Sequence, residues 1–170
     1  FKIIKSGYSN FLSNLFYETE LTIKKENPDA VIFLGDTNTC LASIIFKKYS
    51  IPIYHIEAGN RSFDQNVPEE INRKIIDHIA DFNIVYTERS RQHLIAEGYP
   101  HRQIYLCGSP ITEIFFKYQE QLLQTESLKK LKIKPKEYFL ASFHRQENVD
   151  NEENLKKILL SLNAISEEYS

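Results

Sequence analysis

Blocks of helical and strand-like periodicity alternate along this chain. From Phe11 to Lys25, apolar residues fall at Phe11, Leu12, Leu15, Phe16, Leu21 and Ile23. Residues three and four apart share a helix face, so this spacing predicts a helix, and Asn27-Pro28-Asp29 ends it. Residues 30–34 (AVIFL) form a short continuous apolar run, expected for a strand buried on both faces. Thr37 to Tyr49 returns to helical spacing. Ile51 to Ile56 reads as a second strand, with Pro52 near its start, where a lost donor does least harm. The loop Gly59 to Val67 precedes a helix from Pro68 to about Asp81. Asn83 to Tyr86 is a third strand, Glu88 to Glu97 a helix, and Ile104 to Cys107 a fourth strand. Pro110 then opens a longer helix. Lys129 to Lys136 (KKLKIKPK) reads as a linker with a solvated face. Tyr138 to Phe143 (YFLASF) is expected to be a strand and Asn154 to Ile165 a final amphipathic helix. Strands alternating with helices over short connections predict an α/β fold with a parallel sheet and right-handed crossovers.

Composition narrows the partners. Of 170 residues, 42% are hydrophobic and 26% charged, so the chain can build a core. The formal net charge of −2 gives no electrostatic reason to expect nucleic acid or an anionic membrane. No apolar run approaches the ~18 residues of a membrane span, and the first ten residues do not read as a signal peptide. The chain starts at Phe1 and contains no Met, which leads us to expect a piece of a longer protein. Cys40 and Cys107 sit in neither a C-x-x-C nor a Cys/His metal spacing. They are expected to be buried, reduced thiols of a cytoplasmic protein, with a catalytic or redox thiol as the alternative.

Ligands of open parallel sheets bind outside the carboxyl ends of the strands, and polar residues collect there. Gly35-Asp36-Thr37-Asn38-Thr39 follows the first strand, Glu57-Ala58-Gly59-Asn60-Arg61 the second, Gly108-Ser109-Pro110 the fourth, and His144-Arg145-Gln146-Glu147-Asn148 the fifth. Asp36 is either a carboxylate satisfying free helix N–H groups or a ligand-contacting acid. Thr37 and Thr39 can cap the helix and hydrogen-bond a sugar or phosphate at the same time. His55 and Glu57 alternate along a strand and are expected to share a face; such a pair is weak evidence for metal, and Glu57 reads better as an active-site acid. Pro68-Glu69-Glu70 suits a helix start. Glu69, Arg73 and Asp77 are spaced four apart, forming either a surface ion-pair ladder or a wall of the site. His144 and Arg145 can place a cation beside a phosphate, and His144 can carry a proton or cap a helix.

Four motifs in order go further: G-D-T-N-T (Gly35 to Thr39), H-I-E-A-G (His55 to Gly59), P-E-E-I-N-R (Pro68 to Arg73) and H-R-Q-E-N-V-D (His144 to Asp150). Together they resemble the non-hydrolysing UDP-N-acetylglucosamine 2-epimerase family over nearly the whole chain. The stretch N-R-S-F-D-Q-N between Gly59 and Val67 looks more like the subgroup that makes UDP-N-acetyl-L-fucosamine from a UDP-6-deoxy-L-talosamine sugar for capsule or O-antigen. The resemblance implies a glycosyltransferase-B type architecture of two Rossmann-like domains with UDP-sugar bound between them, here incomplete at both ends. Residues 1–115 would be the later part of the N-terminal domain, 116–136 the inter-domain connection and 137–170 the start of the C-terminal domain.

By the same resemblance the reaction uses no cofactor and no metal, and the full-length protein is a homodimer. UDP leaves C1 as the C2 proton is removed; UDP then adds back while C2 is protonated on the other face. Asp36, Glu57 and Glu69 are the implied acid/base carboxylates, and His144 the implied partner of the diphosphate or proton carrier. Thr37, Arg73, Ser109 and Arg145 are implied substrate-binding positions, and Arg145 and Glu147 also supporting or effector-site residues. The alternatives are a hydrolysing epimerase, a UDP-sugar glycosyltransferase, or an inactive split-gene remnant. The isolated 170 residues are expected to be inactive.

Overall fold

The structure, a computed structural model, describes residues 7–143 and 146–169, without the side chains of residues 146 and 147. His144 and Arg145 therefore lie outside the described residues, as does the side chain of Glu147. The chain divides into two compact units, Phe1–Lys117 and Tyr118–Ser170.

The first unit contains α1 (Tyr8–Glu26), β1 (Val31–Leu34), a 3-10 turn (Asn38–Ala42) running into α2 (Ser43–Lys48), β2 (Ile53–Ile56), α3 (Pro68–Ile79), β3 (Phe82–Val85), α4 (Glu88–Ala96) and β4 (Ile104–Leu106); α5 (Pro110–Leu123) begins there. The four strands are parallel in the order β1-β2-β3-β4. Local chemistry sets the helix ends. Pro68 occupies the first turn of α3 with Glu69 and Glu70 beside it, where a missing N–H costs nothing and carboxylates meet the positive end of the helix dipole. Thr87 caps α4 by accepting the Ser90 N–H at 3.1 Å, satisfying one of the free donors of the first turn.

One face of this sheet carries the core. Leu15, Cys40, Leu41, Ala42 and Ile76 pack with Phe33 and Phe46, and Ala58, Val85, Leu94 and Ile104 form a second cluster. The other face differs from expectation. Val31 and Phe33 are half-buried, but Ile32 is 66% and Leu34 67% exposed, so β1 is covered on one side only. Along the same face Leu34 lies in register with Ile56, Ile84 and Tyr105, and Tyr105 is also exposed. The strand order gives the reason: right-handed crossovers that always step in the same direction put every connecting helix on one side. Of the two thiols, Cys40 is buried as expected, whereas Cys107 is exposed just beyond β4.

The second unit contains α6 (Ser127–Leu131), α7 (Gln146–Val149) and α8 (Glu152–Glu168). Asn151 caps α8 by accepting the N–H groups of Glu153 and Asn154 at 3.0 and 3.1 Å. Part of the expected basic linker is helical in α6. The expected strand over 138–143 is not one: the segment has no ladder, and Leu140 is 91% exposed. A strand exists by pairing, and the second unit offers no partner strand among the described residues. No helix of the described residues is long and apolar enough to cross a membrane.

Candidate functional site

The carboxyl ends of β1 and β2 are adjacent, because Leu34 pairs with Ile56. Asp36 follows the first and Glu57 the second. Asp36 does not cap the following 3-10 turn, whose cap position is Thr37. Its Oδ2 instead accepts from Arg73 Nε at 2.5 Å, and its main-chain carbonyl accepts from Asn72 Nδ2 at 2.9 Å. Both partners come from α3. The Asp36 and Arg73 side chains remain about one-fifth exposed (23% and 20%), so the ion pair is accessible to a ligand.

Glu57 leaves the strand with φ +74°, a left-handed conformation that costs a non-glycine residue about 1–3 kcal/mol. Glu57 lies one residue beyond β2, so the strand alternation that paired it with His55 does not extend to it. Glu57 N–H donates to the Ile84 carbonyl at 3.0 Å, and Glu57 Oε1 accepts from Asn60 Nδ2 at 3.2 Å. Its Oε2 lies 3.9 Å from the point where a Cβ on Gly35 would stand. Glu57 thus leans on the turn that carries Asp36, and two carboxylates held by different donors follow neighbouring strands at one end of the sheet.

His55 instead turns toward the helices and is fully buried. Its Nδ1 lies 2.7 Å from Asp77 Oδ1 and its Nε2 3.0 Å from the Gly35 carbonyl oxygen. Asp77 also receives the Gly59 N–H at 3.2 Å and Arg61 Nη1 at 2.7 Å. Arg61 is itself buried along its side chain and forks onto Glu97 through Nε and Nη2, each at 2.7 Å. That guanidinium holds the Glu97 carboxyl below the usual carboxylate range.

Of the evenly spaced residues on α3, Arg73 and Asp77 face the strand ends and Glu69 is exposed in the first turn. Glu70, one position on, is the buried one, accepting the Ser62 N–H and hydroxyl at 2.8 and 3.0 Å. Burial pushes the Glu70 carboxyl up, but these two bonds and the nearby Arg61 and Lys74 outweigh it and leave it lowered. Thr37 and Thr39 share a hydrogen bond at 2.6 Å, and Ser109 Oγ accepts weakly from Ile111 N–H at 3.4 Å at the start of α5. Sequence reasoning placed Asn60 and Arg61 after the second strand and Asn72 within a motif but gave none of them a role, and it did not single out Tyr86. Asn72 lies inside the P-E-E-I-N-R motif and Arg61 in the segment after the second strand, but nothing in their spacing shows burial. Tyr86 follows β3, where burial first, then Glu57 and Cys107, raise its phenol. Burial pushes the Cys40 thiol up to about 12, with Asp36 and Asp77 adding to it, which suits an inert thiol.

Residues 4–170 match the sequence model of the family described as UDP-N-acetylglucosamine 2-epimerase. A solved structure of UDP-N-acetylglucosamine 2-epimerase from Rickettsia bellii is 45% identical with a TM-score of 0.87, over 99% of this chain and 44% of that one. The Methanocaldococcus jannaschii UDP-GlcNAc 2-epimerase, solved in complex with UDP-GlcNAc and UDP, is 34% identical with a TM-score of 0.83, over 97% and 46%. The curated UDP-N-acetylglucosamine 2-epimerase of the same organism is 38% identical over 91% of this chain and 43% of its own length. The chain therefore spans less than half the length of the relatives it matches.

Proposed function

The chain belongs to the UDP-N-acetylglucosamine 2-epimerase family, and from that premise we propose that it is part of an enzyme inverting C2 of a UDP-N-acetylhexosamine. In the proposed reaction the C1–O bond to UDP breaks as a carboxylate removes the C2 proton, leaving a glycal-like intermediate. UDP then re-forms the bond to C1 while an acid on the opposite face returns a proton to C2. Three demands follow: charge stabilisation of the departing diphosphate, an acid/base group on each face of C2, and enclosure of the intermediate.

The observation that carries this reading is that Asp36 and Glu57 follow neighbouring strands at the same end of the sheet. Asp36 is ion-paired to Arg73, and the Glu57 carboxylate rests against the Asp36 turn. In this proposal Asp36, Glu57 and Glu69 are the acid/base carboxylates, and Arg73 orients Asp36. Thr37 and Ser109 contact substrate, as do His144 and Arg145, the last two near the diphosphate. Residues 1–115 belong to an N-terminal Rossmann-like domain, 116–136 connect, and 137–170 begin a second such domain. The loop sequence from Asn60 to Asn66 supports the finer assignment, conversion of a UDP-6-deoxy-L-talosamine sugar to UDP-N-acetyl-L-fucosamine for a surface polysaccharide. By the same resemblance the whole protein works as a cytoplasmic homodimer.

The test is C2 hydrogen exchange and product analysis in deuterated water, using the full-length enzyme with UDP-N-acetylglucosamine and with the 6-deoxy sugar. Deuterium at C2 of an epimerised UDP-sugar is the expected result, and the faster substrate decides the subgroup. Release of free N-acetylhexosamine would establish a hydrolysing enzyme instead. Glu57→Gln should lower kcat by about 10²–10⁴-fold; near-normal turnover would remove Glu57 from the set.

A further inference from the structure

We infer that His55 and Asp77 are a positioning pair: His55 donates hydrogen bonds from both ring nitrogens and so sets the relation between the turns that carry Asp36 and Glu57. This inference rests on the reading of those two carboxylates given above.

The pair is out of reach of substrate, with side chains 1% and 0% exposed. His55 lies mid-sheet on the helix-facing side, in register with Phe33 and Asn83. Both ring nitrogens face acceptors. The Gly35 carbonyl, 3.0 Å from Nε2, can only accept. Asp77, 2.7 Å from Nδ1, already takes Arg61 Nη1 on Oδ2 and the Gly59 N–H, which is the behaviour of a carboxylate. Both ring nitrogens must then carry hydrogen; otherwise a lone pair would face an oxygen in a buried site, at the cost of a buried unsatisfied acceptor. Charge agrees. Arg61 and His55 balance Asp77 and Glu97 within one cluster, and His78, on the solvent side, lies 3.8 Å from Glu97.

The contacts of the pair are to the backbone of the site. Gly35 immediately precedes Asp36, and Gly59 follows Glu57 by two residues. One imidazole and one carboxylate therefore hold the β1 turn and the β2 turn to the same point on α3. Asn83 adds β3 by donating to the Asp77 carbonyl at 2.9 Å. Arg73, one turn earlier on α3, holds the Asp36 carboxylate. Proton transfer requires a reach of about 2.6–3.2 Å, and a shift near 1 Å in such a group costs about 10²-fold in rate. Loosening this pair should therefore slow chemistry while leaving substrate affinity alone.

The experiment uses the full-length enzyme. Nitrogen-15 NMR of isotope-labelled wild-type protein at pH 7, with the His55 ring assigned by through-bond correlation to its own backbone, should show hydrogen on both ring nitrogens; one bare nitrogen overturns the inference. His55→Asn keeps an amide where Nδ1 stood, and His55→Gln keeps one where Nε2 stood, so each preserves one of the two bonds. Both should lower kcat by about 10–100-fold with KM and UDP affinity within about 3-fold. A kcat within 2-fold of wild type in both variants, or losses carried in KM, overturns the inference. Should neither variant fold, the wild-type ring-nitrogen measurement decides alone. If wild-type enzyme exchanges no C2 hydrogen with any UDP-sugar, the functional reading falls, while the protonation of the His55 ring still decides for or against the pair.

Discussion

Replacing Gly59 with alanine tests the close approach of the β2 turn to α4. Gly59 has φ +75°, and a Cβ there would stand 2.3 Å from the Ser90 carbonyl oxygen, 2.9 Å from its carbon and 3.1 Å from Leu94 Cγ. The first two distances fall below 3.0 Å, which real Cβ contacts essentially never do. Both atoms are main chain within a helix, so neither can swing aside as a side chain would. Two costs add. The left-handed backbone costs a residue with a Cβ about 1–2 kcal/mol, and forced displacement of packed structure costs about 1–3 kcal/mol. The sum is about 2–5 kcal/mol. Gly35 separates the two terms. Its φ is +73°, yet its nearest neighbour to an added Cβ is the end of the Glu57 side chain at 3.9 Å. Gly35→Ala should therefore show the backbone term alone, about 1–2 kcal/mol. Urea unfolding of wild type and both variants, followed by midpoint at constant m, measures the difference. We expect Gly59→Ala to be the less stable by about 1–3 kcal/mol. A difference under about 0.5 kcal/mol, less than any overpacking penalty, would refute the steric argument and the α4 contact with it.

Arg61→Ala should destabilise by about 3 kcal/mol, because it leaves Asp77 and Glu97 without the guanidinium that both now bind; a urea midpoint equal to wild type would show that the pair contributes nothing. Acid should unfold the protein early. Glu97 is lowered chiefly by its bond from Arg61, and Glu70 and Asp81 are lowered despite burial, Glu70 by Ser62 and Asp81 by Lys47. Because the folded values lie below the unfolded ones, this stabilisation is complete above the ordinary Glu value of 4.5 and is lost as pH falls through the folded values. Tm recorded from pH 7 down to pH 3 should drop below about pH 4.5, the unfolded carboxylate range; a level Tm across that interval would contradict the assignment.

The elements of the first unit and their order were legible along the chain, since apolar period and turn residues act over a few positions. The sequence also located Asp36 and Glu57 at strand ends, because a residue following a strand must emerge at an end of the sheet. Tertiary structure decided the rest, through contacts between residues remote in the chain. One-sided coverage of β1 depends on strand order, which no local pattern records. The failure of residues 138–143 to form a strand depends on a partner strand, not on their own β-rich composition. Glu69 and Glu70 are chemically identical neighbours, yet a rotation of about 100° between successive helix positions leaves the first exposed and the second buried against Ser62. Asp77 read as either one rung of a surface ladder or part of a wall of the site. Only the folding of α3 across the strand ends brought it to His55, Gly59 and Arg61, where burial turns an ordinary carboxylate into the anchor of the site.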